Sequence, residues 1–302
     1  MTMFLLFVFA EKFSPKIRFR RLFDEEDSKT RLCYRFRFFL NYQFRKTKID
    51  EKIHQILHRF RNDSSIMIAS QLLDKIIFRQ LFDRISCTYT YLLACKSSKN
   101  AVLIDPVREE IERDLNLIKQ LNLKLKYVLN THVHADHVSG SGGIKQISPN
   151  IKSIISTESK AQADIKVTDG DVIKISDQIH LNVISTPGHT KGCVSYCLDN
   201  QMVFTGDALL IRGCGRTDFQ EGDSGQLYDS IHGKLFRLPG ECLVLPGHDY
   251  NGNTCSTIEE EKNHNPRLLN SREEFVELMK NLRLPFPQMI EKAIPLNFKC
   301  GL

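Results

Sequence analysis

Thr131-His132-Val133-His134-Ala135-Asp136-His137 packs three imidazoles and a carboxylate into one short stretch of a 302-residue chain that has 10 His in all. It follows the apolar run Tyr127-Val128-Leu129-Asn130 and precedes Ser139-Gly140-Ser141-Gly142-Gly143, so it reads as a loop leaving the end of a strand. Such a loop turns several donors toward one point, and neutral imidazole with carboxylate is the usual donor set for zinc, iron or manganese. One loop rarely closes a metal site by itself, which directs attention to other strand ends. His189 stands in Ser185-Thr186-Pro187-Gly188-His189-Thr190, Asp207 in Phe204-Thr205-Gly206-Asp207, and His248 in Leu245-Pro246-Gly247-His248-Asp249, each after an apolar run and directly after Gly. His54, His58, His180, His232 and His264 have no such partners and receive no role.

Short β-rich runs surround these loops: Tyr89–Ala94, Ala101–Ile104, Tyr127–Asn130, Ser153–Ser156, His180–Ile184, Val194–Leu198, Met202–Thr205 and Cys242–Leu245. Ile111, Leu115, Ile118 and Leu121 make one apolar helix face, and Leu227, Ile231, Leu235 and Leu238 another. The stretch from Ile258 to Leu282 is mainly helical by pattern. The mixture predicts an α/β or α+β domain with sheet inside and helices outside. The 41% hydrophobic and 26% charged residues exclude a collagen-like or long disordered chain. The 9 Cys form no C-x-x-C pair, which excludes a zinc ribbon, and they read as reduced thiols without catalytic role.

Charge separates the first residues from the rest. Residues 1–66 hold 15 Lys and Arg against 8 Asp and Glu, whereas the remainder holds 27 against 28, so the net +6 belongs to a basic N-terminal extension and nucleic-acid binding by the body loses its support. The apolar run Met3 to Ala10 falls short of the roughly 20 residues a bilayer span needs, and no membrane segment is predicted. Residues 16–61, rich in Arg, Lys and Phe, resemble an organelle-targeting leader, against which stands Asp24-Glu25-Glu26-Asp27. Met67 opens a new amphipathic segment, so the extension reads either as a leader or as a mis-assigned start, with the domain covering residues 67–302.

The order H-x-H-x-D-H, Gly-His, Gly-Asp, Gly-His resembles the metallo-β-lactamase superfamily, whose αββα fold is two mixed sheets flanked by helices. Within it the chain looks like the persulfide dioxygenases over roughly Phe78 to Leu302. The stretches that carry this are Arg79–Phe82, Ser86–Leu93, Ala101–Val107 and Thr205-Gly206-Asp207-Ala208-Leu209-Leu210-Ile211-Arg212-Gly213-Cys214-Gly215-Arg216-Thr217-Asp218-Phe219-Gln220. That resemblance implies one Fe(II) per chain held by His132, His189 and Asp207, with His134, Asp136, His137 and His248 hydrogen-bonding around it. It implies oxidation of glutathione persulfide by O2 to sulfite and glutathione, in the mitochondrial matrix, by a homodimer without nucleic-acid or membrane partners. Arg216 is the candidate for pairing with a glutathione carboxylate or with Asp218, and Tyr250 for reaching the bound sulfur or oxygen. The alternative is a glutathione thioester hydrolase like glyoxalase II, with His132, His134 and His189 on one metal, Asp136, His137 and His248 on a second, and Asp207 bridging.

Overall fold

The computed structural model describes residue 72 and residues 74–302. The basic extension over residues 1–66 and its boundary therefore lie outside the described residues, as do His54 and His58. Among the described residues twelve strands build two six-stranded sheets. The first runs β1 (Ile76–Asp83), β2 (Thr88–Cys95), β3 (Asn100–Ile104), β4 (Lys124–Leu129), β5 (Lys152–Ser156) and β6 (Ile165–Val167), in chain order across the sheet. β1, β2 and β3 pair antiparallel, and β3 through β6 pair parallel. The second contains β7 (Val172–Lys174), β8 (His180–Ser185), β9 (Val194–Leu198), β10 (Met202–Gly206), β11 (Leu243–Pro246) and β12 (Ser256–Thr257), ordered β12-β11-β10-β9-β8-β7, with only β10 and β11 parallel.

Strand alternation explains the layering. Along β2 every residue is buried: Tyr91, Leu93 and Cys95 face the second sheet, and Leu92 and Ala94 face helices. Between the sheets Tyr91, Val102, Ile104 and Leu129 meet Val183, Tyr196, Phe204 and Leu245. Outside the first sheet, α1 (Ile111–Gln120) and α2 (Ser141–Ile147) lay Ile118 and Ile144 over Leu92, Leu103 and Val128. Outside the second, α3 (Ser224–Gly233), α4 (Ile258–His264) and α5 (Arg272–Lys280) cover Cys197, Val203 and Val244 with Leu227, Ile231, Ile258 and Phe275. A last helix, α6 (Ile290–Asn297), follows. This is the helix–sheet–sheet–helix arrangement that the resemblance implies. Among the described residues no helix is long and apolar enough to cross a membrane.

Several elements differ from the sequence reading. The segment opening at Met67 contains an edge strand, β1, whose charged Arg79 lies at an exposed position of its outer face. β6, β7 and β12 are two or three residues long, too short to display a period. The Leu227-to-Leu238 face belongs to α3 and a separate 3-10 turn, Leu235–Arg237, because the α-helix stops at Gly233. Ile258–Leu282 splits into α4 and α5 around Asn265-Pro266, where the residue before proline leaves the helical region.

Helix α1 carries a fully buried carboxyl, Asp114, whose Oδ1 lies 2.9 Å from both Nε and Nη2 of the Arg113 guanidinium. Burial pushes its pKa up to about 6, although the Arg113 guanidinium pulls the other way. An acid whose folded-state pKa is raised binds its proton more tightly folded than unfolded, so its contribution to stability falls as pH rises from about 4 to about 6. Asp114→Asn is expected to raise the unfolding midpoint at pH 7.5, by an amount equivalent to at most about 3 kcal/mol, and to leave it nearly unchanged at pH 4. Paired thermal melts at the two pH values check this.

Candidate metal centre

The four donor-bearing loops leave the ends of β4, β8, β10 and β11. Main-chain bonds bring the two sheets together there: Tyr89 N–H to the Gly247 carbonyl at 2.8 Å and Val194 N–H to the Thr131 carbonyl at 2.9 Å. Two glycines aim the donors that follow them. Gly188 has φ +135° and Gly206 φ +50°, both costly for residues with a Cβ. An added Cβ on Gly188 would lie 2.3 Å from the Leu227 backbone, and on Gly206 2.4 Å from Thr131 Oγ1.

His132, His189 and Asp207 each offer a donor atom within 4.8 Å of the other two, and His134, Asp136 and His248 form a second such set. His189 Nε2 stands 3.6 Å from Asp207 Oδ2, while His248 Nε2 stands 3.5 Å from both Asp207 Oδ1 and Asp136 Oδ2. The imidazole rings crowd one another: the centroids of His132 and His134 are 4.1 Å apart, and those of His132 and His189 4.9 Å. Buried His134 Nδ1, His137 Nε2 and Asp207 Oδ1 have no hydrogen-bond partner among the described residues. Buried polar atoms are ordinarily satisfied, so this concentration of spare lone pairs fits a cation in the middle. The second set differs in composition from the hydrolase alternative, since His134 groups with Asp136 and His248, and His137 stands apart.

Hydrogen bonds behind the rings decide which nitrogens are free. The His189 Nδ1–H donates to the Arg216 carbonyl at 2.6 Å, leaving Nε2 for the site. Thr131 Oγ1 gives its hydrogen to Asp105 Oδ2 at 2.8 Å, so it accepts from the His132 Nδ1–H at 3.0 Å, and His132 also presents Nε2. Burial, reinforced by neighbouring His134 and His189, holds the His132 pKa well below its ordinary value and keeps the ring neutral, as a ligand must be. Burial alone would lower the His248 pKa, but Asp207 and Asp136 outweigh it and lift it to about 9. Burial likewise opposes ionisation of Asp136, yet His248 and His137 bring its pKa well below the usual carboxylate range.

Three supporting residues escape the sequence reading. Asp105, buried just beyond β3, accepts from Thr131 N–H at 2.7 Å, Thr131 Oγ1 and His134 Nε2 at 3.0 Å, and so clamps the loop that carries His132. Its signal lies in Leu103-Ile104-Asp105-Pro106, an acid directly after a buried strand. Asn297 Nδ2 donates to the His134 and His137 carbonyls at 2.8 and 2.9 Å, while its Oδ1 accepts from Ser139 N–H at 2.8 Å. Thr88 Oγ1 lies 3.3 Å from His137 Nδ1 and 3.4 Å from His248 Nδ1.

The two remaining candidates occupy the rim. Arg216 forms a forked pair with Asp218, both contacts 2.7 Å, donates from Nη1 to the Pro285 carbonyl at 2.7 Å, and lies 4.7 Å over the Phe219 ring. Its guanidinium is thus engaged within the chain, and its carbonyl is what reaches the site. Tyr250 is 71% exposed and stacks parallel to His248 with centroids 6.1 Å apart. His180, His232 and His264 and all described cysteines belong to neither donor set.

Residues 88–248 match the family model of the metallo-β-lactamase superfamily. The chain is 55% identical over 228 residues to the human persulfide dioxygenase ETHE1, mitochondrial, covering 75% of this chain and 89% of that protein. The crystal structure of ETHE1 from Myxococcus xanthus superposes with a TM-score of 0.73 at 50% identity, covering 75% of this chain and all of that one. The cytoplasmic hydroxyacylglutathione hydrolase of Arabidopsis thaliana is more distant, 36% identical over 168 residues, or 54% of this chain and 64% of that protein. The chain belongs to the metallo-β-lactamase superfamily and, within it, to the persulfide dioxygenase family.

Proposed function

We propose that this protein is an iron-dependent persulfide dioxygenase that converts glutathione persulfide, O2 and water to glutathione and sulfite. The observation that carries the reading is the set of two imidazoles and one carboxylate, His132, His189 and Asp207, with donor atoms within 4.8 Å in a member of this family. These residues would hold one Fe(II) per chain. Bound there, Fe(II) supplies oxygen activation and open coordination positions for substrate and O2, a vacancy from which redox-inert zinc gains nothing.

The chain's own groups do the rest. Arg216 fixes the tautomer of His189 through its carbonyl, and Asp105 fixes His132 through Thr131. His137 gives its Nδ1–H to Asp136 at 2.9 Å and offers Nε2 as an acceptor for a proton of the persulfide or of water. Asp136 and His248 balance charge beside it. The mitochondrial names of the relatives and the basic extension support a matrix location, and homodimerisation follows the family expectation.

One observation favours the alternative, a two-metal thioester hydrolase: the second donor set, His134, Asp136 and His248. Metal analysis separates the two. His132→Ala, His189→Ala and Asp207→Ala are each expected to lower Fe(II) affinity by more than about 100-fold and to abolish persulfide oxidation, while His134→Ala retains measurable iron. Equal loss of metal from His134→Ala, or two metals per wild-type chain with cleavage of lactoylglutathione, contradicts the mononuclear reading.

A further inference from the structure

The loop that backs two of the three proposed iron ligands is held from outside the site by one buried carboxylate. The His189 Nδ1–H rests on the Arg216 carbonyl, and the Asp207 carbonyl accepts from Gly215 N–H at 2.7 Å. A Cβ added to Gly215 would fall 2.4 Å from the Asp207 carbonyl oxygen and 2.8 Å from His189 Cγ, so the loop touches both ligand residues without slack. The loop closes on itself through reciprocal bonds between Leu210 and Gly213, with Arg212 in the left-handed region at φ +56°. A residue other than glycine stays in that conformation when its surroundings hold it there.

Glu261 of α4, fully buried, is what holds it. Its Oε2 accepts from Arg212 N–H at 2.9 Å and from Asn265 Nδ2 at 2.8 Å, and its Oε1 from Arg212 Nη1. Asn265 Nδ2 also reaches the Gly213 carbonyl at 3.0 Å, and Arg267 Nη1 holds the Cys214 carbonyl at 2.8 Å. The Arg212 N–H and the Gly213 and Cys214 carbonyls that this cluster grips all lie within four residues of Arg216. Charge-assisted bonds to a buried carboxylate are short and strong, and losing one partner leaves the other charge uncompensated. Glu260, next to it, also pairs with Arg212, at 3.1 Å, but is exposed and grips no loop backbone.

We propose that Glu261 is a positioning residue of the metal centre: through Arg212 it sets the 212–216 loop, and so the aim of His189 Nε2 and of Asp207. The inference rests on the ligand assignment above. Its test uses full-length Glu261→Ala, Glu261→Gln and Glu260→Gln loaded anaerobically with Fe(II). Fe(II) affinity is read by competition with a chromophoric chelator, ligand geometry by the paramagnetic resonance signal of the nitrosyl adduct, and folding by thermal melts. Glu261→Ala is expected to weaken Fe(II) binding by about tenfold or more and to alter the signal. Glu261→Gln, which keeps the shape but not the charge, falls between it and the wild type, and Glu260→Gln stays within about twofold of the wild type. Folded Glu261 variants with wild-type affinity and an unchanged signal overturn the proposal, whatever their melting temperatures. If the alanine variant does not fold, the glutamine variant decides alone by the same criterion. Neither readout involves turnover, so a protein inactive on persulfide still tests the role of Glu261.

Discussion

Where the two sheets meet, the Tyr89 N–H bonds the Gly247 carbonyl and the Val194 N–H bonds the Thr131 carbonyl. That main-chain seam governs the rest of the structure, because the candidate metal donors come from both sides of it. His132, His134, Asp136 and His137 follow β4 of the first sheet, whereas His189, Asp207 and His248 follow β8, β10 and β11 of the second. The seam is fortified by Tyr196, whose hydroxyl donates to the Asn130 carbonyl at 2.8 Å, and by Tyr91, whose hydroxyl donates to the Pro246 carbonyl at 2.7 Å. The apolar filling between the sheets thus ends in tyrosine hydroxyls that satisfy backbone groups beside the loops.

Behind His132 and His189 stand groups that orient them, and each is an acceptor. Asp105, through Thr131, serves His132, and the Arg216 carbonyl serves His189. The consequence is uniform: both rings turn Nε2 toward the site. Gathering histidines and carboxylates this closely without an ion is unfavourable, since like charges and lone pairs face each other in a buried space. A cation held by these residues would resolve that conflict and would couple its binding to the stability of the seam.

The donor set and the fold class are legible in the sequence because their signals are local. His132 to His137 lie on one loop, and His189, Asp207 and His248 each carry a glycine directly before them, two of which adopt positive φ. Strands such as β2, β9 and β10 are runs buried on both faces, long enough to show. The supporting groups are hidden because their partners are remote: Asn297 meets His134 across 163 residues, and Glu261 meets Arg212 across 49. Arg216 illustrates a further limit. Its residue type allows a substrate carboxylate or Asp218 as partner, and folding gives the guanidinium Asp218 and the Pro285 carbonyl, whereas the work of its backbone carbonyl against His189 leaves no mark in the residue type. Short strands such as β6 and β7 owe their existence to the neighbour they pair with, which a local pattern does not record.

The most direct measurement is the stoichiometry of turnover: O2 consumed and sulfite formed by the Fe(II)-loaded full-length protein given glutathione persulfide. One O2 consumed per sulfite, with glutathione released in equal amount, is the predicted result. Metal-loaded protein that leaves both O2 and persulfide untouched would contradict the assignment of His132, His189 and Asp207 to oxygen chemistry.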